Sequence, residues 1–306
     1  MAKTALLRRL SDVDFRLLRV FRAVVACGGV SAAELELNIS RSTISRHLTD
    51  LEFRLGSRLC HRGPAGFSLT EEGERIHAAA LQLFSAIHEF QAEVDETNKD
   101  LAGQLSIAFF DKNATNPSVK LPDAIRAFER IAPKVKIEVY VEPINIVETG
   151  VLNGRYQVGI VPMHKTSDNL DYYNLYSEAM YLYCGKHHPL FLKSDSDISR
   201  QDMQKQKYAG FAFHSPNMMA SHDWKLKRRA IVNNEEALAT LILSGCYIGF
   251  LPDHVAKRFI DAGDMCALRP DVYNYPSDHS AIVRRTPKMP KRVEKFLDCL
   301  RTAHEL

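Results

Sequence analysis

Phe15, Leu18, Phe21 and Val25 recur at steps of three and four, with Leu17 and Val24 beside them. This spacing predicts an amphipathic helix over residues 14–27, ended by Gly28-Gly29. Ser31 opens a short second helix over residues 31–37, and Asn38-Ile39 forms a turn. Ser40 then stands as N-cap of a third helix whose buried stripe is Ile44, Leu48, Leu51 and Leu55. Gly56 closes that helix. Residues 58–62 and 67–69 read as two short strands around the turn Gly63-Pro64-Ala65-Gly66.

Downstream, Thr70 is an N-cap with Glu71 and Glu72 in the first turn, where they favour the helix dipole. Ile76, Ala80, Leu83, Ile87, Phe90, Val94 and Leu101 follow at alternating four- and three-residue steps, with polar Thr97 filling one place. That is a coiled-coil seam, and it predicts dimerisation through this helix; packing of the stripe on the chain's own C-terminal part is the alternative. Beyond Gly103, strands at residues 104–110, 135–141 and 158–161 alternate with helices at residues 117–131 and 144–152. A second set comprises strands near residues 179–184, 208–211, 247–250 and 266–268, with helices near 235–243 and 253–260. Strand 280–284 and helix 290–304 return to the first set. The alternation predicts a parallel α/β sheet in two lobes. The division is therefore residues 1–69, 70–102 and 103–306, with lobe I at about 103–176 and 277–306 and lobe II at about 177–276.

Charge separates the first two parts. Residues 1–66 hold eleven Lys and Arg against six Asp and Glu, a net of +5, whereas residues 70–100 hold two against eight, a net of −6. A basic head on an acidic helix fits a module that faces nucleic acid. The exposed start of the third helix carries Ser40, Arg41, Ser42, Thr43, Ser45, Arg46 and Thr49. Arginine there can pair two hydrogen bonds with guanine, and short hydroxyls reach bases or phosphates in a major groove. An ordinary bundle helix has the same stripe; the basic hairpin behind it is what reads as a wing. Arg58 and Arg62 are its candidate phosphate or minor-groove contacts, with packing against Glu52 as the other reading.

From Phe21 to Gly73 the chain closely resembles the N-terminal domain of LysR-type transcription regulators. The matching residues include Gly28-Gly29-Val30-Ser31, Leu37-Asn38-Ile39-Ser40, Ile44-Ser45-Arg46-His47-Leu48, Leu51-Glu52, Leu55-Gly56 and Leu69-Thr70. Three positions depart from the family pattern. Glu34 replaces a second alanine and is compatible with the fold if it points outward, Arg41-Ser42 replaces glutamine-proline, and Cys60 replaces phenylalanine. Weaker matches in the C-terminal part (Phe128, Pro133, Val135, Leu152, Gly154, His188-Pro189-Leu190 and Gly245 to Pro252) resemble the family's periplasmic-binding-protein-like effector domain. Gln157 stands there in place of a frequent aspartate, a change expected to affect local packing.

The resemblance implies a multidomain chain: an α-helical winged helix-turn-helix head, a long linker helix and a two-lobed α/β effector domain. It implies a cytoplasmic transcription regulator, dimer or dimer of dimers, that binds a near-palindromic double-stranded DNA operator. It also places Asn113, Thr115 and Asn116 in the effector pocket, with His214 and Ser215 facing them from lobe II. Each of these also suits a turn residue bonded to local backbone. A helix beginning near Pro117 would present free N–H groups to the pocket, so the expected effector is an anionic metabolite, a carboxylate. No nucleophile elbow, dinucleotide or phosphate loop, or zinc spacing occurs, so neither catalysis nor a cofactor or metal is expected. The six cysteines are scattered, and no apolar run is long enough for a membrane span or a signal peptide. Two rivals remain: a DNA-binding protein whose C-terminal domain serves only assembly, and an enzyme on a binding-protein fold.

Overall fold

The computed structural model describes residues 10–63, 66–96, 101–286 and 288–305. Residues 1–9, Pro64 and Ala65 of the expected turn, and Thr97 of the heptad series lie outside the described residues, as does the side chain of Val94. Contacts divide the chain into two units, residues 1–88 and 89–306.

In the first unit, α1 (Asp12–Ala26), α2 (Val30–Leu37) and α3 (Arg41–Leu55) precede the hairpin of β1 (Cys60–Gly63) and β2 (Gly66–Leu69); α4 (Glu71–Glu96) follows. Asp14 fixes the start of α1 by accepting from the Ser11 backbone N–H at 2.8 Å and its hydroxyl at 2.6 Å. Leu17, Phe21, Val24, Ile44, Leu48, Leu51 and Leu59 are buried together, each contributing about 1.5–3 kcal/mol by leaving water. Gly73 is obligatory in α4, since a Cβ there would lie 1.9 Å from the Leu59 carbonyl oxygen.

The second unit adds β3 (Ala102–Phe109), α5 (Leu121–Ile131), β4 (Lys134–Val141), α6 (Ile144–Leu152), β5 (Val158–Pro162) and β6 (Leu170–Gly185). After these come α7 (Arg200–Lys205), β7 (Lys207–Phe211), α8 (Pro216–Asp223), β8 (Lys227–Val232), α9 (Glu235–Leu243), β9 (Ile248–Pro252), α10 (Asp253–Asp261), β10 (Met265–Ala267), β11 (Asn274–Arg284) and α11 (Lys291–Ala303). The strand order is 4-3-5-11-6-9-7-8, with β10 also on β6.

Three expectations need correction. The sheet is mixed: β3–β4, β3–β5, β7–β8 and β7–β9 pair in parallel, but β11 runs antiparallel to β6 from Leu170 to Tyr181, and the two strands link the lobes. Both crossover strands are far longer than their apolar runs, because Asn, Asp and Glu interrupt the pattern where the strands pass between lobes. The strand β8 was not expected, since Lys227-Arg228-Arg229 puts charge on an edge. Finally, α5 begins at Leu121; residues Asn113–Thr115 form a single 3₁₀ turn instead.

Candidate functional site

Ser40 caps α3 by accepting the Thr43 N–H, and its hydroxyl bonds those of Ser42 and Thr43 at 3.0 and 2.9 Å. Glu34 does more than point outward: its carboxylate accepts the Arg41 N–H at 2.5 Å and so caps α3 from α2. With Ile44 and Leu48 fully buried, the opposite face exposes Arg41, Ser42, Arg46 and Thr49, while Thr43 and Ser45 are half-buried. The Thr49 hydroxyl donates back to the Ser45 carbonyl at 3.0 Å. The Arg46 guanidinium has no hydrogen bond or ion pair among the described residues.

The two wing arginines divide. Arg62 pairs with Glu52 and donates to the Ser45 carbonyl at 3.2 Å, which is the packing role. Glu52 also accepts the N–H groups of Leu59 and Cys60 at 2.9 and 3.2 Å, tying hairpin to helix. Arg58 remains exposed, donating to the Cys60 carbonyl at 3.2 Å. Beneath them, Arg54 donates to the fully buried Asp14 at 2.5 and 3.0 Å. That hydrogen-bonded guanidinium holds the Asp14 carboxyl down at about 2, against the effect of burial.

The heptad seam splits in two. Ala80 is buried in the head's own core beside Phe84, and Ile76, Leu83 and Ile87 are half-buried against the same core. The Phe84 ring meets Phe15 edge-on at 6.4 Å and lies under Arg22 at 4.8 Å. Phe90 is 69% exposed. The early part of the stripe therefore packs within its own chain, on the head, which neither expectation for it had included.

In the effector domain, Asn113, Thr115 and Asn116 come together with residues of the crossover strand β6 and of the second lobe. The Asn116 amide donates to Glu178 at 2.5 Å, Asn113 accepts from the Tyr176 hydroxyl at 3.0 Å, and Thr115 bonds His254 Nδ1 at 3.1 Å. Glu178 also faces His254 Nε2 at 3.5 Å and His279 Nε2 at 3.8 Å. Burial opposes its charge, but the two histidines and Asn116 outweigh that and hold its carboxyl below the usual range. Nearby, Asp111 accepts the Glu235 N–H at 2.7 Å, and Lys112 pairs with Glu236 at 2.5 Å. The Glu235 side chain is sealed, and burial, then Glu178 and Asp111, push its carboxyl well above the usual range. Asn113 Nδ2, Glu235 Oε2 and His254 Nε2 are buried with no hydrogen-bond partner among the described residues.

His214 and Ser215 are not part of this cluster's hydrogen bonding. Ser215 caps α8 by accepting the Met218 N–H at 3.3 Å, a local role, and exposed His214 lies 5.1 Å from the His164 ring. His164 lines a cavity of about 620 Å³ together with Met219, Trp224 and Tyr275. Sequence reasoning missed Tyr176, Glu178, Glu235, His254 and His279. They come from four separate elements, so only the topology of β6 and β11 unites them. Among the described residues no group of three or more His, Cys, Asp or Glu is placed to hold a metal ion.

Comparison with known proteins is consistent along the chain. The model for the bacterial regulatory helix-turn-helix protein of the lysR family matches residues 15–74, and that for the LysR substrate binding domain matches residues 98–305. The HTH-type transcriptional activator BauR of Pseudomonas aeruginosa is 36% identical over 294 residues, 96% of each chain. Among solved structures, CbnR, a LysR family transcriptional regulator, aligns with a TM-score of 0.61 at 22% identity, over 95% of this chain and 99% of that one. A full-length OxyR variant from Pseudomonas aeruginosa aligns at 0.58 and 17% identity, over 97% and 98%. These two support the fold: a helix-turn-helix head with a two-lobed α/β effector domain. On these matches the chain belongs to the LysR family, whose members are DNA-binding transcription regulators with an effector domain and not enzymes.

Proposed function

We propose that the chain reads a double-stranded operator as a cytoplasmic dimer, or dimer of dimers. The face Ser40, Arg41, Ser42, Thr43, Ser45, Arg46 and Thr49 enters the major groove, and Arg58 approaches the phosphates. The observation that carries this is Arg46: exposed, unpaired among the described residues, and fixed on a helix whose other face is buried by Ile44 and Leu48. Arg62 positions the wing through Glu52. Pairing between chains falls to the later part of α4, where Phe90 is exposed, and brings two heads to two half-sites. The functional division remains residues 1–69, 70–102 and 103–306. Activation is the direction we favour, since the relative that is 36% identical is a transcriptional activator.

The effector enters the interlobe cluster at Asn113, Thr115 and Asn116, and alters how firmly the lobes are clasped. A carboxylate effector loses its support, because the helix start that would have received it lies at Leu121. At the end of the loop the N–H groups of Thr115 and Asn116 are already bonded, to the Lys112 and Asn113 carbonyls. At the N-terminus of α9 a carboxylate is already present, that of Asp111. A protection assay on DNA flanking the chain's own gene tests the reading: two protected half-sites about one helical turn apart support it, and protection without half-site symmetry contradicts it.

A further inference from the structure

Four bonds clasp the two lobes across the effector cluster: Asp111 to the Glu235 N–H, Lys112 to Glu236, Thr115 to His254, and Asn116 to Glu178. Behind this clasp lies Glu235, only 6% exposed, with Oε2 unpartnered. Among the described residues it forms no ion pair, whereas Glu178 has His254 and His279, and Lys112 is bonded to exposed Glu236. A buried carboxyl with an empty acceptor position calls for a donor, and a charged donor there would be strengthened by the low dielectric. The other orphaned atoms fit a ligand that both donates and accepts: Asn113 Nδ2 offers an N–H, and His254 Nε2 sits beside Glu178.

We infer that the effector carries an organic ammonium group, received by Glu235 with Glu178 close by. The inference rests on the interlobe effector site proposed above and names the class of ligand for it. The ammonium donates to Glu235 Oε2 when the lobes part, and the remainder of the ligand extends toward Tyr275, which borders the neighbouring cavity. Entry of a cation and loss of the Glu235 proton are coupled. The groups facing Glu235 are Asp111 and Lys112 from the loop after β3, Tyr176 and Glu178 from β6, and Tyr275 from β11. Burial, Glu178 and Asp111 favour the protonated carboxyl and only Lys112 opposes it, so an amine must displace that proton into solvent.

The test is calorimetry on the full-length protein with butylammonium and 1,4-diaminobutane, set against butyrate and succinate at equal ionic strength. An amine should bind with proton release, measured in buffers of different ionisation enthalpy, and more tightly as pH rises from acid to neutral. Glu235→Gln keeps the shape of the neutral carboxyl and should weaken the amine roughly tenfold or more. Thr115→Val removes a hydroxyl that the ligand meets in the parted cluster and should weaken it as well, although it also removes one clasp bond. Should a carboxylate bind, be weakened by Thr115→Val and be indifferent to Glu235→Gln, the ammonium assignment fails and the interlobe site stands. An amine that ignores both variants overturns the site itself. If neither amine binds at millimolar concentration, or binding releases no proton, the inference is wrong.

Discussion

Arg46 and Glu235 are both ionisable side chains near the start of a helix with a capping residue, Ser40 in one case and Asn234 in the other. There the likeness ends. Arg46 stands in solvent on the rim of a small helical head, on a helix whose opposite face is buried in the core of that same unit. Glu235 is sealed between lobes by Asp111 and Tyr176 from far along the chain, and its charge is suppressed by those surroundings. The head offers its chemistry outward to a large polyanion that brings its own geometry. The effector domain keeps this carboxyl inside, so in the proposed site a ligand would have to part the lobes to reach it. A site of the first kind is written in a contiguous motif, and one of the second kind exists only after folding.

Variants on α4 sharpen the contrast most. Leu83→Asp places a charge against the head core and should cost about 2–4 kcal/mol of head stability, seen as an earlier denaturation step. Phe90→Asp should leave that step within about 0.5 kcal/mol and lower the mass in light scattering instead. Equal effects of both on unfolding would erase the division of the helix into a core half and a pairing half.

A somewhat smaller effect is expected from Arg54→Met, which strands Asp14 inside the head. Because Arg54 is about a third exposed, the cost should fall below that of breaking a fully buried pair. The sign with pH follows from the direction of the shift. Asp14 is held at about 2 when folded, so the stability it gives is present above its ordinary value of 3.8 and is lost as pH falls from there towards about 2. Urea titrations over that range should show the parent losing this increment and the variant lacking it. A variant with the same acid limb as the parent would remove the pair from the account.

Legibility followed the same divide. The helix-turn-helix, its wing and the start of α4 were legible because stripe, cap and glycine signals sit within a few residues of one another. Gly73 is a case in point: the motif singled it out, and the Leu59 carbonyl explains why. Arg62 was only half legible, since the sequence offered phosphate contact and Glu52 packing alike. Asn113, Thr115 and Asn116 were expected beside the start of a helix near Pro117; they lie instead against Tyr176, Glu178 and His254, and α5 begins at Leu121. Nothing in a linear pattern signals that Glu178, Glu235, His254 and His279 meet. Their meeting depends on the long antiparallel crossing of β6 with β11, whose polar interruptions hid its length.

The smallest expected effect concerns the clasp. Thr115→Val removes the hydroxyl that bonds the Lys112 carbonyl and His254, and should lower the stability of the effector domain by about 1 kcal/mol or less. Hydrogen exchange should show the opening localised to the loop after β3 and the start of α10. Uniform loosening of the whole sheet would argue that the contact is incidental to the lobes' engagement.

The central claim is that the exposed face of α3 reads the operator, and a salt-controlled titration of operator DNA with parent, Arg46→Ala and Ser45→Ala tests it most directly. Arg46→Ala should weaken specific binding by roughly 1–3 kcal/mol, Ser45→Ala by less, and non-specific binding should fall less than specific. Unchanged operator affinity in both variants would contradict the claim.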